Sequence, residues 1–271
     1  ERCNLNKEII LDTNFDYSFP LNDDHKLELK LCNENHYPIV NVRSGIEGLI
    51  TRSVYYKLMS IFHIPAYTDN YIWVLQSGNN ISIIDPGEAK PVLEVIKKLD
   101  LNLVDILLTH HHFDHVGGTT ELKKIMSGKV YGPKGNIEGV DINVSEEDEL
   151  KTLNYSFKIL HTPGHTLDHI SYIDDGNKVL FCGDTLFSAG CGRIFEGTFN
   201  QMHESIQKIN KLDENTYVYC AHEYTLSNLE FVSAQMNDEF INNYAIELKQ
   251  KLADAGISVP TKLSLERNNW N

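Results

Sequence analysis

Four histidines fall within six positions, His110, His111, His112 and His115, with Asp114 among them. The pattern is H-x-H-x-D-H. Imidazole nitrogen and carboxylate oxygen are ligands for zinc, iron and manganese. Short imidazole-rich tracts mark metal sites more often than solvated loops. The apolar run Val104–Leu108 leads into the motif and predicts a strand that ends on it. Along an extended segment, side chains two apart share a direction, so His110 and His112 point the same way. Asp114 and His115 fall where the chain turns into a predicted helix, Val116–Met126, and face a second point in space. His111 lies between two ligands and should point away from the metals.

Two half-sites need completion from elsewhere. Three candidates each follow an apolar strand: His165 in Thr162-Pro163-Gly164-His165-Thr166, Asp184 in Cys182-Gly183-Asp184-Thr185, and His222 in Cys220-Ala221-His222-Glu223-Tyr224. Taken singly each is weak. A lone histidine after a strand is more often a surface residue than a ligand, and Gly-Asp-Thr is also a turn signature. Their joint occurrence with the hexapeptide is the signal. Five histidines and two aspartates can hold two cations, with a carboxylate bridging them and a solvent oxygen between. His169 is expected to orient the site, and His161 to be structural. His25, His36, His63 and His203 have no motif around them.

Such a site generates hydroxide near neutral pH by lowering the pKa of its bound water. Asp114 is suited to accept a hydrogen bond from that hydroxide as well as to ligate. A thiol nucleophile is the poorer reading. The five cysteines, Cys3, Cys32, Cys182, Cys191 and Cys220, contain no C-x-x-C pair, and an odd number argues against a disulfide framework. They read as free thiols in a reducing compartment. No histidine pairing is readable around Cys191.

The rest of the sequence must position these residues. Of 271 residues, 41% are apolar and 23% charged, enough for a sizeable core. Net charge is 24 − 38 = −14, so the chain repels phosphate backbones and anionic lipid. Neither nucleic acid nor a membrane is an expected partner, and no apolar run is long enough to span a bilayer. Ile72–Leu75 and Ile81–Ile84 flank Ser77-Gly78-Asn79-Asn80, a hairpin signal. Pro91–Leu99 shows a helical apolar face. Lys129–Tyr131, Tyr155–Leu160, Ile170–Ile173, Lys178–Cys182 and Tyr217–Cys220 read as strands, and Gln201–Leu212, Leu226–Gln235 and Asp238–Ala255 as helices. Grouped strands with helices between the groups predict an α/β fold, two face-to-face sheets with outer helices and a helical C-terminal appendage.

Residues 1–58 are polar, Asn-rich and weakly periodic, with Leu27–Leu31 as a possible short strand. They form an expected N-terminal extension, flexible or leader-derived and dispensable for chemistry. Residues 59–225 are the expected catalytic domain and 226–271 the helical C-terminal domain. The first residue is Glu1, which reads as a fragment or processed form. The expected location is cytoplasmic, or organellar (plastid-type or mitochondrial) where 1–58 derive from a leader, and not secreted. A monomer or weak homo-oligomer is expected.

The motifs resemble the metallo-β-lactamase superfamily, and within it the glyoxalase II (hydroxyacylglutathione hydrolase) family. The similarity runs from about Ile61 to Asn269. It includes Ile64-Pro65-Ala66, Asp69-Asn70-Tyr71-Ile72-Trp73, Asp85-Pro86-Gly87, the hexapeptide with Val116-Gly117-Gly118, and Thr162–His165. Most diagnostic is Cys182-Gly183-Asp184-Thr185-Leu186-Phe187, continuing through Gly190-Cys191-Gly192-Arg193 to Phe195-Glu196-Gly197, together with Ala221-His222-Glu223-Tyr224-Thr225. The resemblance implies an αββα sandwich with a helical C-terminal domain. It implies two divalent ions per chain, zinc first, with iron or manganese as alternatives. One ion would be held by His110, His112 and His165, the other by Asp114, His115 and His222, with Asp184 bridging. It implies hydrolysis of glutathione thioesters such as S-D-lactoylglutathione, as in methylglyoxal detoxification, with glutathione contacted by Arg193, Phe195 and Tyr224. Position 195 is Phe where many members have Tyr. The chain also ends at Asn271, where the family's last helical segment would continue, so truncation is expected.

Rival readings fit less well. A class B β-lactamase usually lacks the histidine after the aspartate and places a cysteine in its second metal site, where this chain has His115 and Asp184. A tRNA-processing nuclease is disfavoured by the net charge of −14. A persulfide dioxygenase would have Thr-Asp-Phe after the Cys-Gly-Arg turn, whereas this chain has Ile194-Phe195-Glu196-Gly197. A scaffold that has lost activity would not keep all seven ligand candidates.

Overall fold

Strand β2 (Asn70–Ser77) buries its first six residues without alternation. A strand of this kind is covered on both faces. Ile72 and Val74 pack in one cluster with Val92 of helix α1 (Ala89–Leu99). Trp73 points the other way and meets Tyr219 edge to face, ring centroids 4.8 Å apart. Strand β3 (Asn80–Ile84) returns antiparallel to β2, with Ser77 opposite Asn80, as the hairpin signal predicted.

A computed structural model describes residues 59–235 and 239–269, all but Met59 and Ser60 falling in a compact unit of Ile61–Asn271. The expected extension 1–58, its Leu27–Leu31 strand included, lies outside the described residues. The first sheet runs in the order β1 (Met59–Ala66), β2, β3, β4 (Asn102–Leu107), β5 (Val130–Pro133), β6 (Ile142–Val144). The pairs from β3 to β6 are parallel. Helix α1 makes the crossover from β3 to β4, and its Ala89 and Val92 cover the outer face with Leu122.

The second sheet runs β14 (Thr261–Lys262), β13 (Tyr217–Cys220), β10 (Val179–Gly183), β9 (Ile170–Asp174), β8 (Tyr155–His161), β7 (Glu149–Thr152). Only β10 and β13 pair in parallel. Between them lie a small ribbon, β11 (Leu186–Phe187) with β12 (Gly190–Cys191), and a capped helix, α4 (Phe199–Ile209). The arrangement is the αββα sandwich expected.

The two sheets are joined by aromatic packing and by buried hydrogen bonds. The Trp73 indole donates to the Cys220 carbonyl (2.8 Å) and the Tyr172 hydroxyl donates to the Leu108 carbonyl (2.7 Å). The Thr152 hydroxyl of β7 lies 2.6 Å from both Ser82 Oγ of β3 and Asp105 Oδ2 of β4.

The expected helix Val116–Met126 is instead two short turns, α2 (Phe113–Val116) and α3 (Thr119–Leu122), split at Gly117-Gly118. The Gly118 amide donates to the Pro86 carbonyl (2.8 Å). A Cβ there would sit 2.6 Å from backbone atoms of Glu88 and Ala89. Close backbone approach overrides the helical apolar spacing at this point.

Helices α5 (Thr225–Gln235) and α6 (Glu239–Ala255) pack through Leu229, Ile241 and Leu248, with Ala189 beneath. Helix α7 (Leu263–Asn269) was not read from sequence. Its buried Glu266 accepts hydrogen bonds from Ser188 Oγ (2.8 Å) and the Ala189 amide (2.9 Å). Among the described residues no helix is long and apolar enough to cross a membrane.

Trp73→Phe removes one buried hydrogen bond and part of the aromatic contact between sheets. It should destabilise the protein by roughly 1–3 kcal/mol. Urea unfolding would show a lower midpoint with an unchanged m-value.

Candidate metal centre

The site forms where the ends of both sheets meet. Parallel strands end at the same edge of a sheet. Gly183 of β10 therefore pairs with Cys220 of β13, and Asp184 and His222 emerge together. From the other sheet, β4 delivers Thr109–His112. The Ile170 amide bonds the Thr109 carbonyl (2.9 Å), which ties that loop to β9. Gly183 has φ +48, and a Cβ on it would lie 2.5 Å from Thr109 Oγ1 and 2.7 Å from His169 Nε2. Only glycine lets the Asp184 backbone come this close.

Two groups of ligand atoms converge. His110, His112 and His165 form one, and Asp114, His115 and His222 the other, the atoms of each lying within 4.8 Å of one another. In the first, His112 Nδ1 lies 2.9 Å from His165 Nε2. In the second, Asp114 Oδ2 is 3.5 Å from both His115 Nε2 and His222 Nε2. Asp184 stands between the groups. Its Oδ2 is 3.3 Å from His165 Nε2 and 3.4 Å from His222 Nε2, and its Oδ1 is 3.5 Å from His115 Nε2. All seven residues singled out from sequence are thus gathered at one place.

The chemistry of these atoms fits a divalent cation. His110 Nε2, His115 Nε2 and Asp184 Oδ1 are buried and lack any hydrogen-bond partner. Buried polar groups are otherwise almost always satisfied. The outward nitrogens, by contrast, are held. His115 Nδ1 lies 3.0 Å from Asp85 Oδ2, His165 Nδ1 2.7 Å from the Arg193 carbonyl, and His222 Nδ1 2.9 Å from Asp69 Oδ1. His110 Nδ1 lies 3.0 Å from Thr109 Oγ1. Partners of this kind fix the ring tautomer and aim the free nitrogen inward.

Asp85 and Asp69 were not read as site residues from sequence. Asp85-Pro86-Gly87 has the composition of a strand stop. In the structure Asp85 has φ +52, costly for a residue with a Cβ. Both its oxygens are used: Oδ1 accepts the Thr109 amide (2.7 Å), and Oδ2 accepts the Thr109 hydroxyl (2.6 Å) and faces His115. Asn70 Nδ2 donates to Asp114 Oδ2 (3.0 Å). His169, stacked on His110 at 4.9 Å, accepts the Asp184 amide at Nε2 (3.1 Å). Burial lowers its pKa to about 3, so the ring stays neutral.

The two groups differ electrostatically. Burial holds His110, His112 and His165 below the ordinary imidazole pKa. Burial also opposes charge on His115 and His222, but Asp184 and its neighbours outweigh it and push both upward. For Asp114, burial works upward, while His115, Asn70 and His222 together hold the carboxyl below its usual range.

The expected substrate residues stand beside different parts of this centre. Phe195 is 58% exposed and stands edge-on to His112 (5.5 Å) and His165 (5.3 Å). The Arg193 guanidinium lies over the Phe195 ring, 5.0 Å from its centroid. Tyr224 stacks flat on His222, 4.8 Å away at 4°. His111 points away from both groups and is exposed.

Residues 68–136 and 125–222 match the family described as the metallo-beta-lactamase superfamily. Residues 1–82 match a second family, described as a protein of unknown function (DUF1285), C-terminal domain. A hydroxyacylglutathione hydrolase from Erwinia tasmaniensis is 50% identical over 213 residues, 77% of this chain and 84% of that protein. One from Aeromonas hydrophila is 46% identical over 213 residues, 76% of this chain and 82% of that protein. Among solved structures, the B3 metallo-beta-lactamase BLEG-1 superposes with a TM-score of 0.55 at 29% identity, over 60% of this chain and 92% of that one. ETHE1 from Myxococcus xanthus gives 0.55 at 28%, over 61% and 76%. TTHA1623 in a di-iron-bound form gives 0.51 at 25%, over 60% and 92%.

Asp85→Asn keeps the side chain's shape but removes the charge that orients His115. Metal affinity should fall about 10–100-fold, as for other partners of ligand histidines. Titration of the purified protein against a chromogenic chelator measures this, and an unchanged affinity would detach Asp85 from the centre.

Proposed function

The chain belongs to the hydroxyacylglutathione hydrolase family of the metallo-beta-lactamase superfamily, and from that premise we infer that it hydrolyses S-(2-hydroxyacyl)glutathione thioesters, such as S-D-lactoylglutathione, to glutathione and a 2-hydroxy acid. The observation that carries this reading is the pair of ligand groups meeting at Asp184, with inward atoms left unsatisfied.

Two divalent cations fit the donors, one at His110, His112 and His165 and the other at Asp114, His115 and His222, with Asp184 reaching both. Zinc is our proposed metal. The same nitrogen and oxygen donors admit iron and manganese. When bound, such a pair supplies Lewis acidity, bringing the pKa of coordinated water towards neutrality and polarising a carbonyl.

The chain's own groups do the rest. Water adds to the thioester carbonyl carbon, the C–S bond breaks, sulfur leaves as the thiolate, and the water's two protons pass to solvent, leaving the 2-hydroxy acid as its carboxylate. Asp114, held below the usual carboxylate range, is ionised at neutral pH and accepts the hydrogen bond of the attacking water. Asn70 keeps that carboxylate in place. The leaving thiolate needs no side-chain acid, since a thiol's pKa of about 8.5 makes its anion a good leaving group. Among the described residues a cysteine nucleophile is unsupported. Burial pushes the Cys182 thiol up to about 12, Cys220 higher than normal, and raises Cys191 too. An activated nucleophile would be shifted the other way.

Glutathione carries carboxylates, and the chain's net charge is −14. Local positive charge must offset that field. Arg193 is exposed beside the centre and supplies it. Tyr224, whose phenol burial raises to about 12, stays protonated and offers a donor. Phe195 contributes an apolar face where a tyrosine would add a hydroxyl.

The direct test is thiol release from S-D-lactoylglutathione under anaerobic conditions, which excludes a dioxygenase. Asp184→Ala should strip metal from both groups and abolish turnover. A fully metallated, active variant would sink the shared-carboxylate arrangement. Arg193→Ala should raise KM while metal content holds, the loss of a charge-assisted hydrogen bond being about 1.5–3 kcal/mol. An equal loss on a thioester lacking the glutathione peptide would remove Arg193 from the binding site.

A further inference from the structure

His111 stands between two residues of the metal centre yet faces outward, and both its ring nitrogens are engaged. Nδ1 lies 3.0 Å from Asp168 Oδ1, and Nε2 lies 3.2 Å from Glu196 Oε1. Each carboxylate belongs to a different loop. Asp168 follows His165, and its Oδ1 also accepts the Thr166 hydroxyl (2.6 Å). Glu196 follows Phe195, and its other oxygen accepts the Leu167 amide (2.9 Å). The backbone adds three bonds between the same loops. The amides of Phe195 and Glu196 donate to the His165 carbonyl (3.1 and 3.3 Å), and that of Gly197 to the Gly164 carbonyl (3.2 Å).

Three segments are therefore fastened to one imidazole. One holds His110 and His112, one holds His165, and one holds Arg193 and Phe195. The last is tied by its backbone to the His165 segment, while the side chains of Arg193, Phe195 and Glu196 are exposed. Both carboxylates already serve the imidazole and neighbouring donors, so the cluster acts through geometry and not as a further cation site.

We propose that His111 is a positioning residue for substrate, a clamp that holds the Arg193–Phe195 segment at a fixed distance from the metal centre through Glu196 and Asp168. The proposal rests on the glutathione thioester reading above. It concerns recognition and not the chemical step. Without the clamp the loop samples other conformations, so a peptide substrate must order it on binding. A small thioester that does not reach the loop escapes this cost.

The test compares wild type, His111→Ala, Glu196→Gln and the double variant, each first checked for metal content. With S-D-lactoylglutathione, KM should rise about three- to tenfold in each single variant, the loss of one or two ordinary hydrogen bonds. The change in kcat should stay below about twofold, as expected when binding is lost equally in the ground and transition states. The Kd of glutathione for the metal-loaded protein, by calorimetry, should weaken by a similar factor. The double variant should be no worse than the worse single one, because both break the same link. Hydrogen exchange should quicken at the amides of Leu167, Phe195, Glu196 and Gly197 and stay unchanged in β10. Metal loss in His111→Ala, equal damage on S-lactoyl-N-acetylcysteamine, additive single effects, or unchanged loop exchange would each overturn the clamp. A wild-type protein inert towards the glutathione thioester would refute the functional reading instead, and the exchange measurement would still decide whether His111 holds the loop.

Discussion

Gathering buried imidazoles and carboxylates at one point is unfavourable unless each ring has a reason to face inward. A buried polar atom without a partner costs about 1–3 kcal/mol. Here the outward nitrogens of four histidines are satisfied by Asp85, Asp69, Thr109 and the Arg193 carbonyl. The inward atoms then have one use left, which is to share a cation. Much of the surrounding structure follows from supplying those outer partners. Asp85 keeps a left-handed backbone to reach both Thr109 and His115. Gly183 has no side chain because Thr109 and His169 fill that space.

The sandwich converts this local requirement into topology. Parallel pairing of β10 with β13 brings Asp184 and His222 out at one edge. An antiparallel pair would send the following residues to opposite ends. The other sheet meets that edge through the Asn70–His222 bridge and the Tyr71 amide on the Ala221 carbonyl (2.7 Å). The C-terminal helices are drawn in by carboxylates as well. Glu223, next to His222, accepts the Ser258 amide (2.8 Å) and hydroxyl (2.6 Å) and the Tyr71 hydroxyl (2.5 Å). The segment after α6 thus bears on the same short stretch that carries His222 and Tyr224.

What the sequence disclosed, and what it did not, follows from how local each signal is. H-x-H-x-D-H is contiguous, so its ligand character is visible without a fold. His165, Asp184 and His222 were visible because each follows an apolar run and a turn. Asp85 and Asp69 lie far along the chain from the histidines they hold, and a short Asp-Pro-Gly looks like any strand stop. Strands β6, β7, β11, β12 and β14 have only two to four residues, too few for a period to register. The long helix expected after Val116 failed for a related reason. Its apolar spacing is local, whereas the close approach of Gly118 to Pro86 and Ala89 is tertiary.

Asp184, Arg193 and Phe195, the last two proposed to meet substrate, lie on one strip of chain, Asp184 to Gly197. It begins with the carboxylate between the two ligand groups and ends with the glycine bonded to the Gly164 carbonyl. Midway, Arg193 acts twice. Its carbonyl aims His165, and its guanidinium lies over Phe195 at the mouth. A main-chain shift at residue 193 would therefore disturb the His165 ring and the Arg193–Phe195 contact together. Side-chain replacement at the same residue leaves the carbonyl in place. That is the physical reason the exposed side chains of Arg193 and Phe195 can be replaced while the backbone path beneath them stays fixed by the His165 ring it aims.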